Sequence, residues 1–164
     1  MKAFPTPSGR FAAAFAAIVA WLALLCMPAA APAQPQPALP RVELQAGIHL
    51  IRAELAANDR TRSRGLMFRE SLGPSEGMLF VFQSASRQCF WMRNTLIPLS
   101  IAFIDDAGSI VNIADMQPRS DDSHCSSKPV RFALEMEQGW FAKRGLAAGS
   151  RLSGPKGMFA PAGK

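Results

Sequence analysis

Chemistry in this 164-residue chain is concentrated in Cys89-Phe90-Trp91-Met92-Arg93-Asn94-Thr95, an aromatic, apolar run that ends in a cation, an amide and a hydroxyl. Such a junction forms where a packed strand leaves a core and presents polar groups at a rim. Trp91 could wall a shallow pocket there, with Asn94, Thr95 and a guanidinium from Arg64 or Arg69 fixing a polar ligand, because pockets pair apolar walls with a few convergent polar groups. Arginine would favour a carboxylate or phosphate on that ligand. The structural alternative places Trp91 and Met92 on opposite sides of a strand and uses Asn94 and Thr95 to satisfy backbone groups in the turn before Pro98.

The acids offer a second chemistry. Asp105, Asp106, Asp115, Glu135 and Glu137 could supply the carboxylate pair that glycoside hydrolysis requires, with Asp115 or Glu135 as acid or base. No spacing selects a pair, however. Asp105-Asp106 suit a turn, and Glu135 and Glu137 share a strand face and read as solvated or paired with arginine. Serine sits in no G-x-S-x-G, and only two histidines are available as bases. Met67, Met78, Met92, Met116 and Met136 could hold copper(I) with His124 or His49, but no MxxM or HxxM ladder gathers them, and adaptable packing accounts for their apolar neighbours. No metal or other cofactor is expected.

The N-terminus speaks to compartment. Lys2 and Arg10 precede an uncharged Ala/Leu-rich run over residues 11–27, and Ala31-Pro32-Ala33 fits the small-x-small pattern of a signal-peptidase site. Residues 1–33 therefore read as a signal peptide and the mature protein as periplasmic or secreted. A retained membrane anchor is the rival, although Pro28 and Pro32 would break its helix; membrane contact is expected only through such an uncleaved segment. Cleavage removes two basic residues, lowering the formal charge from +6 to +4. That charge is spread along the chain, and Arg60, Arg62, Arg64 and Arg69 form its only local concentration, so no nucleic-acid partner is expected. Cys89 and Cys125 remain in a chain bound for an oxidising space and are expected to form a disulfide. No CxxC is present, and His124 beside Cys125 makes a poor chelating unit.

Positioning these groups falls to a series of short elements. Residues 34–40 read as a Pro-rich spacer, and residues 41–153 as a single β domain. Alternation around Val42 and Leu44, then over residues 48–55, predicts two half-buried strands. Asn58-Asp59 can cap a short helix over residues 60–67. Gly73-Pro74 and Gly77 mark a loop before the apolar strand of residues 78–82. Further strands are predicted at 90–92 and 101–104, the latter returning through the Asp/Gly turn of residues 105–108 as a hairpin to 110–113. Residues 130–136 alternate again, 140–144 make one helical turn stopped by Gly145, 146–152 supply a last strand, and 154–164 form a loose tail. Many short strands and one or two short helices predict an all-β fold, either an antiparallel sandwich or a partly closed barrel.

Over about residues 60–152 the chain resembles the prokaryotic family catalogued as domain of unknown function 192. The matching pieces are Arg64-Gly65-Leu66-Met67 with Arg69, Gly77-Met78-Leu79-Phe80 with Phe82, Phe90-Trp91-Met92 with Asn94-Thr95, and Ile97-Pro98-Leu99. They continue through Ala102-Phe103 with Asp105, Met116 with Pro118, Ala133-Leu134-Glu135 and Gly139. The resemblance implies an antiparallel sandwich or jelly-roll in an often exported protein and brings no agreed activity. Arg93 stands where the family often has Lys, and Ser100 where an Asp is common. Together these readings predict an exported β domain that binds a small polar ligand or an envelope partner protein through Arg64, Arg69, Trp91, Asn94, Thr95, Asp115 and Glu135. The alternative is an envelope carbohydrate or peptide hydrolase using a carboxylate as acid or base.

Overall fold

A computed structural model of the chain describes residues 39–159. The expected signal peptide, most of the Pro-rich spacer and the last five residues lie outside the described residues. Nine strands and two short helical elements make up the described part: β1 (Arg41–Ala46), β2 (His49–Ala56), α1 (Asp59–Arg64), β3 (Glu76–Ser86), β4 (Cys89–Phe90), β5 (Leu99–Ile104), β6 (Ile110–Met116), β7 (His124–Cys125), β8 (Val130–Glu137), a 3-10 turn (Ala142–Arg144) and β9 (Leu152–Ser153). Seven strands form one sheet in the order β6-β5-β8-β3-β2-β1-β9, and β4 pairs with β7 in a separate ribbon. Among the described residues no helix is long and apolar enough to cross a membrane.

The large sheet curls into a half-barrel. Its two ends approach at the turn before β6, where the Ile110 amide donates to the Ser150 carbonyl at 2.9 Å, the Gly149 amide to the Ile110 carbonyl at 2.8 Å and the Leu152 amide to the Gly108 carbonyl at 2.8 Å. Val42, Leu44 and Leu152 from one end therefore share an inner core with Ile104 and Ile110 from the other, together with Leu79, Phe132, Leu134, Met136, Trp140 and Phe141. The all-β expectation holds, with one departure from antiparallel pairing. β2 and β3 run parallel, because residues 57–75 cross over between them with only the six-residue α1 as helix. Asn58 caps α1 as expected, its side-chain oxygen accepting from the Thr61 amide at 2.9 Å while Thr61 Oγ1 accepts from the Asn58 amide at 3.2 Å.

The outer face of the sheet is covered as well. Side chains alternate across a strand, so Met78 and Phe80 of β3, Leu99, Ile101 and Phe103 of β5, and Ala133 of β8 point away from the inner core. They form a second core with Leu66, Met92, Met116 and Val130. Phe90 plugs the β4–β7 ribbon into this layer, with ring centroids 4.9 Å from Phe80, 5.8 Å from Phe103 and 6.4 Å from Phe82. Cys89 and Cys125 face each other across the ribbon and are joined by a disulfide. Burial of both faces is why the central strands read as apolar runs and why β8, taken in sequence for a half-buried strand, is almost wholly buried.

Several element boundaries differ from expectation. α1 stops at Arg64, where Gly65 takes φ 50° as its C-cap, instead of running to residue 67, and the last strand is only Leu152–Ser153, because residues 146–151 turn through Gly149 at φ 91°. β3 begins at Glu76 and incorporates Gly77, where a Cβ would meet the Glu135 carbonyl and the Met136 sulfur of β8; the glycine allows close strand approach rather than a loop. Trp91 and Met92 lie beyond the two-residue β4. Part of the expected loose tail is packed instead: Met158 and Phe159 lie against the inner core, with Phe159 5.0 Å from Phe132 edge to face, which repays in buried apolar area the cost of ordering those residues.

Candidate functional site

A cavity of about 310 Å³ opens between the outer face of the sheet and its cover. α1 and the turn after it supply Arg62, Arg64, Leu66 and Met67. The sheet supplies Phe80, Phe82 and Glu135, and the ribbon and the loop beyond it supply Phe90, Trp91 and Thr95. Of the residues singled out in sequence, Arg64, Trp91, Thr95 and Glu135 meet here, although they are widely separated along the chain.

Glu135 forms part of the sheet wall. On β8 it lies between Leu134 and Met136, which face the inner core, so its carboxyl projects to the opposite side, beside Met78 of β3 and Ile101 of β5. It is only 4% exposed. No hydrogen bond or ion pair reaches it from the described residues, contrary to the sequence reading of a solvated or arginine-paired side chain. The reason is the second layer, which no single-strand periodicity announces. Burial pushes its carboxyl up to about 8, so near neutral pH it carries a proton and is a donor as well as an acceptor.

Thr95 is 5% exposed. Its backbone is fixed, with the amide donating to Met92 at 2.9 Å and the carbonyl accepting from Arg119 at 3.1 Å, while its hydroxyl has no partner among the described residues. Trp91 stands half exposed, 51%, with the Arg93 guanidinium 4.4 Å from the ring centroid. Arg93 Nε in turn donates to Asp121 at 2.8 Å, a bond that draws the Asp121 carboxyl below its ordinary range. The indole is thus held by a cation from one side. Beside it, Phe68 and Asn94 both adopt left-handed backbone, φ 62° and 60°, and are tied by a 2.8 Å bond from the Phe68 amide to the Asn94 carbonyl. Non-glycine residues held there cost free energy and are found disproportionately at functional sites.

Of the three arginines of α1, Arg60, Arg62 and Arg64, the two that line the cavity differ. Arg62 is consumed by the fold: its Nη1 donates to the Ala57 and Val81 carbonyls at 2.8 Å each, Nη2 bonds Asp59, and the guanidinium lies 5.3 Å from the Phe82 ring centroid. Arg64 is exposed; its carbonyl accepts from the Met67 amide at 3.2 Å, but its guanidinium has no hydrogen bond or ion pair among the described residues.

The remaining sequence candidates lie elsewhere. Arg69 Nη2 donates to both oxygens of the buried Glu54, at 2.7 and 2.6 Å. Asn94 is exposed and acts through its backbone. Asp115 bonds Ser100 Oγ, which also accepts from the Gly139 amide at 2.8 Å. Both line a groove of about 490 Å³ with Phe141 and Leu146. Ser100 pairs with Asp115 and the next residue, Ile101, with both Ala114 and Glu135, so the two candidate carboxylates project from opposite faces of the sheet and cannot flank one bond. Phe80 and Phe82 complete the cavity with Phe90 of the Cys89–Thr95 stretch; nothing in the spacing of Phe80 and Phe82 along β3 marks them as lining residues.

Comparison with known proteins agrees with this architecture. The DUF192 family model, described as "Uncharacterized ACR", matches residues 41–154. The crystal structure of a "putative transcription regulator" from Sinorhizobium meliloti 1021 is 33% identical, with a TM-score of 0.68 over 73% of this chain and 98% of that one. A protein of unknown function from Novosphingobium aromaticivorans DSM 12444 is 36% identical, with a TM-score of 0.67 over 76% of this chain and 94% of that one. No curated protein matches.

Proposed function

Because the chain belongs to the uncharacterised DUF192 family, which brings no activity with it, we propose a role from the cavity itself: an exported module that binds a small polar ligand between α1 and the disulfide-bonded ribbon. One observation carries this reading, namely the unpartnered carboxyl of Glu135 buried behind aromatic walls. Burying a polar group without a partner costs on the order of 1–3 kcal/mol even when it is neutral, and a side chain of similar volume without the acid would avoid the shifted titration. Buried, shifted carboxyls facing a cavity are candidate functional groups for that reason. Thr95 adds a hydroxyl without a protein partner among the described residues, Trp91 a flat apolar surface at the mouth and Arg64 an uncommitted guanidinium. The Cys89–Cys125 bond supports an oxidising compartment, hence export.

The test is a nuclear magnetic resonance titration of the ¹⁵N-labelled full chain with individual sugars, amino acids, alkylamines and short organic acids. At least one class is expected to shift amides of the cavity lining, with the response lost in Trp91→Ala and retained in Asp115→Asn. Absence of a clustered response from every class, or a response indifferent to Trp91→Ala, would overturn the binding reading.

A further inference from the structure

Resting on that binding reading, we propose that the ligand is a small zwitterion whose ammonium group enters the cavity against Glu135 and the aromatic rings while its carboxylate meets the guanidinium of Arg64 at the mouth. The polar inventory of the cavity favours this class over others. Its two deeply buried polar side chains are one carboxyl and one hydroxyl, Glu135 and Thr95, too few to satisfy the several hydroxyls of a sugar. A simple anion would meet ring faces and an acid in the interior. An ammonium group gains from both, since ring faces attract cations and a carboxylate forms charge-assisted hydrogen bonds with one. A hydroxyl such as that of Thr95 can accept a further ammonium proton.

The opposite end of the ligand follows from the contrast between Arg62 and Arg64, the two arginines of α1 that line the cavity. Arg62 is held by bonds from Nη1 to Ala57 and Val81 and from Nη2 to Asp59, whereas the guanidinium of Arg64, which lines the same cavity, has no protein partner among the described residues. A ligand carrying only an ammonium group would leave Arg64 as an unbalanced like charge near the mouth; a zwitterion balances both sites. At about 30 Å³ per water-sized group, 310 Å³ holds roughly ten non-hydrogen atoms, the scale of a single amino acid.

Protons balance as well. Without ligand, the Glu135 carboxyl keeps its proton because burial raises it to about 8. An arriving ammonium favours the ionised form, so binding pairs carboxylate with ammonium and releases one proton to solvent. Other charged groups on this side are Arg62 and Arg64 of the lining, Arg131 on the same face of β8, which donates to the Phe82 carbonyl and pairs with Asp106, and, one strand beyond Met78, Glu54 bonded to Arg69. His124 pairs with Phe90 across the ribbon. Since Arg62, Arg69 and Glu54 are bonded elsewhere, the proton is assigned to Glu135.

Titration calorimetry of the full chain with the unbranched ω-amino acids from glycine to 6-aminohexanoate tests this, with n-butylammonium, butyrate and glucose as comparison probes. One ω-amino acid is expected to bind at least tenfold more tightly than n-butylammonium or butyrate. At pH 6.5 its heat should vary with the ionisation enthalpy of the buffer as for release of nearly one proton. Its affinity should rise about tenfold from pH 6 to pH 7 and flatten above pH 8. Glu135→Gln should abolish the proton release, and Arg64→Ala should reduce the ω-amino acid to the level of n-butylammonium without weakening the latter. Proton release is read on the unaltered chain, so the outcome does not depend on how Glu135→Gln folds. Preference for butyrate, absence of proton release, or indifference to Arg64→Ala would overturn the inference. If glucose binds at the cavity and no ammonium compound does, the zwitterion falls while the binding module stands; if no probe binds there, both fall.

Discussion

Two carboxyl groups on opposite faces of one sheet differ in what they meet: Asp115 bonds Ser100, whereas the carboxyl of Glu135 has no protein partner among the described residues and faces a cavity. On the inner-core side, Asp115 is bonded to Ser100, whose oxygen also accepts from the Gly139 amide, so the acid of the larger groove already has a protein partner. On the outer side, Glu135 and the Thr95 hydroxyl face a smaller cavity without partners. The same contrast separates Arg69, which donates to both oxygens of Glu54, from Arg64 only five residues earlier.

The largest effect that would sharpen this comparison is the pH dependence of stability. Glu135 rises from 4.5 to about 8 on folding, which at about 1.4 kcal/mol per pH unit amounts to roughly 5 kcal/mol. The sign follows from linkage. Below about pH 4.5 both states are protonated and the group has no effect; between 4.5 and 8 only the unfolded chain ionises, so stability falls as pH rises; above 8 the loss is complete. Chemical denaturation from pH 5 to pH 9 should show this decline in the parent protein and lose most of it in Glu135→Gln, while Asp115→Asn should leave the slope in place. An unchanged slope in Glu135→Gln would break the distinction between the faces.

Next in size is the disulfide, which ties the ribbon over the outer face alone. The bond spans a sequence separation of 36, which in the chain-entropy account corresponds to roughly 4 kcal/mol. Replacing both cysteines by serine should lower the guanidinium midpoint accordingly and loosen the Phe90 and Trp91 walls, seen as faster amide exchange at residues 89–91 than in the inner-core strands. A smaller contrast separates the two arginines. Arg69→Leu leaves Glu54 buried without its partner and should cost about 3 kcal/mol; Arg64→Leu should change stability by less than about 0.5 kcal/mol. Equal losses by thermal denaturation would show that Arg64 is structural after all. Asp115→Asn, which weakens one hydrogen bond to Ser100, should fall between the two arginine variants at about 1 kcal/mol.

Legibility in the sequence followed the range of the interactions involved. The hairpin at Asp105 was visible because its signals are local: Asp105 Oδ1 accepts from Ala107 and Ser109 at 3.0 and 2.9 Å, and Gly108 takes φ 81°. The Asn58 cap was readable for the same reason. The environment of Glu135 was not, because alternation along β8 cannot tell a solvated face from one roofed by α1 and the ribbon. Nor could the sequence distinguish Arg64 from Arg69, since Glu54, the partner that removes Arg69 from contention, lies on a different strand.

By itself, then, the order of residues determined the short strands, their turns, the helix cap and the family to which the chain belongs, all of which depend on neighbours a few positions apart or on matched motifs. Tertiary structure alone decided which side chains meet, that a second layer seals the outer face, and which polar groups finish without a partner. Those outcomes depend on sheet order and on packing between segments tens of residues apart, where the face a side chain occupies is set by its strand neighbours and by what covers them.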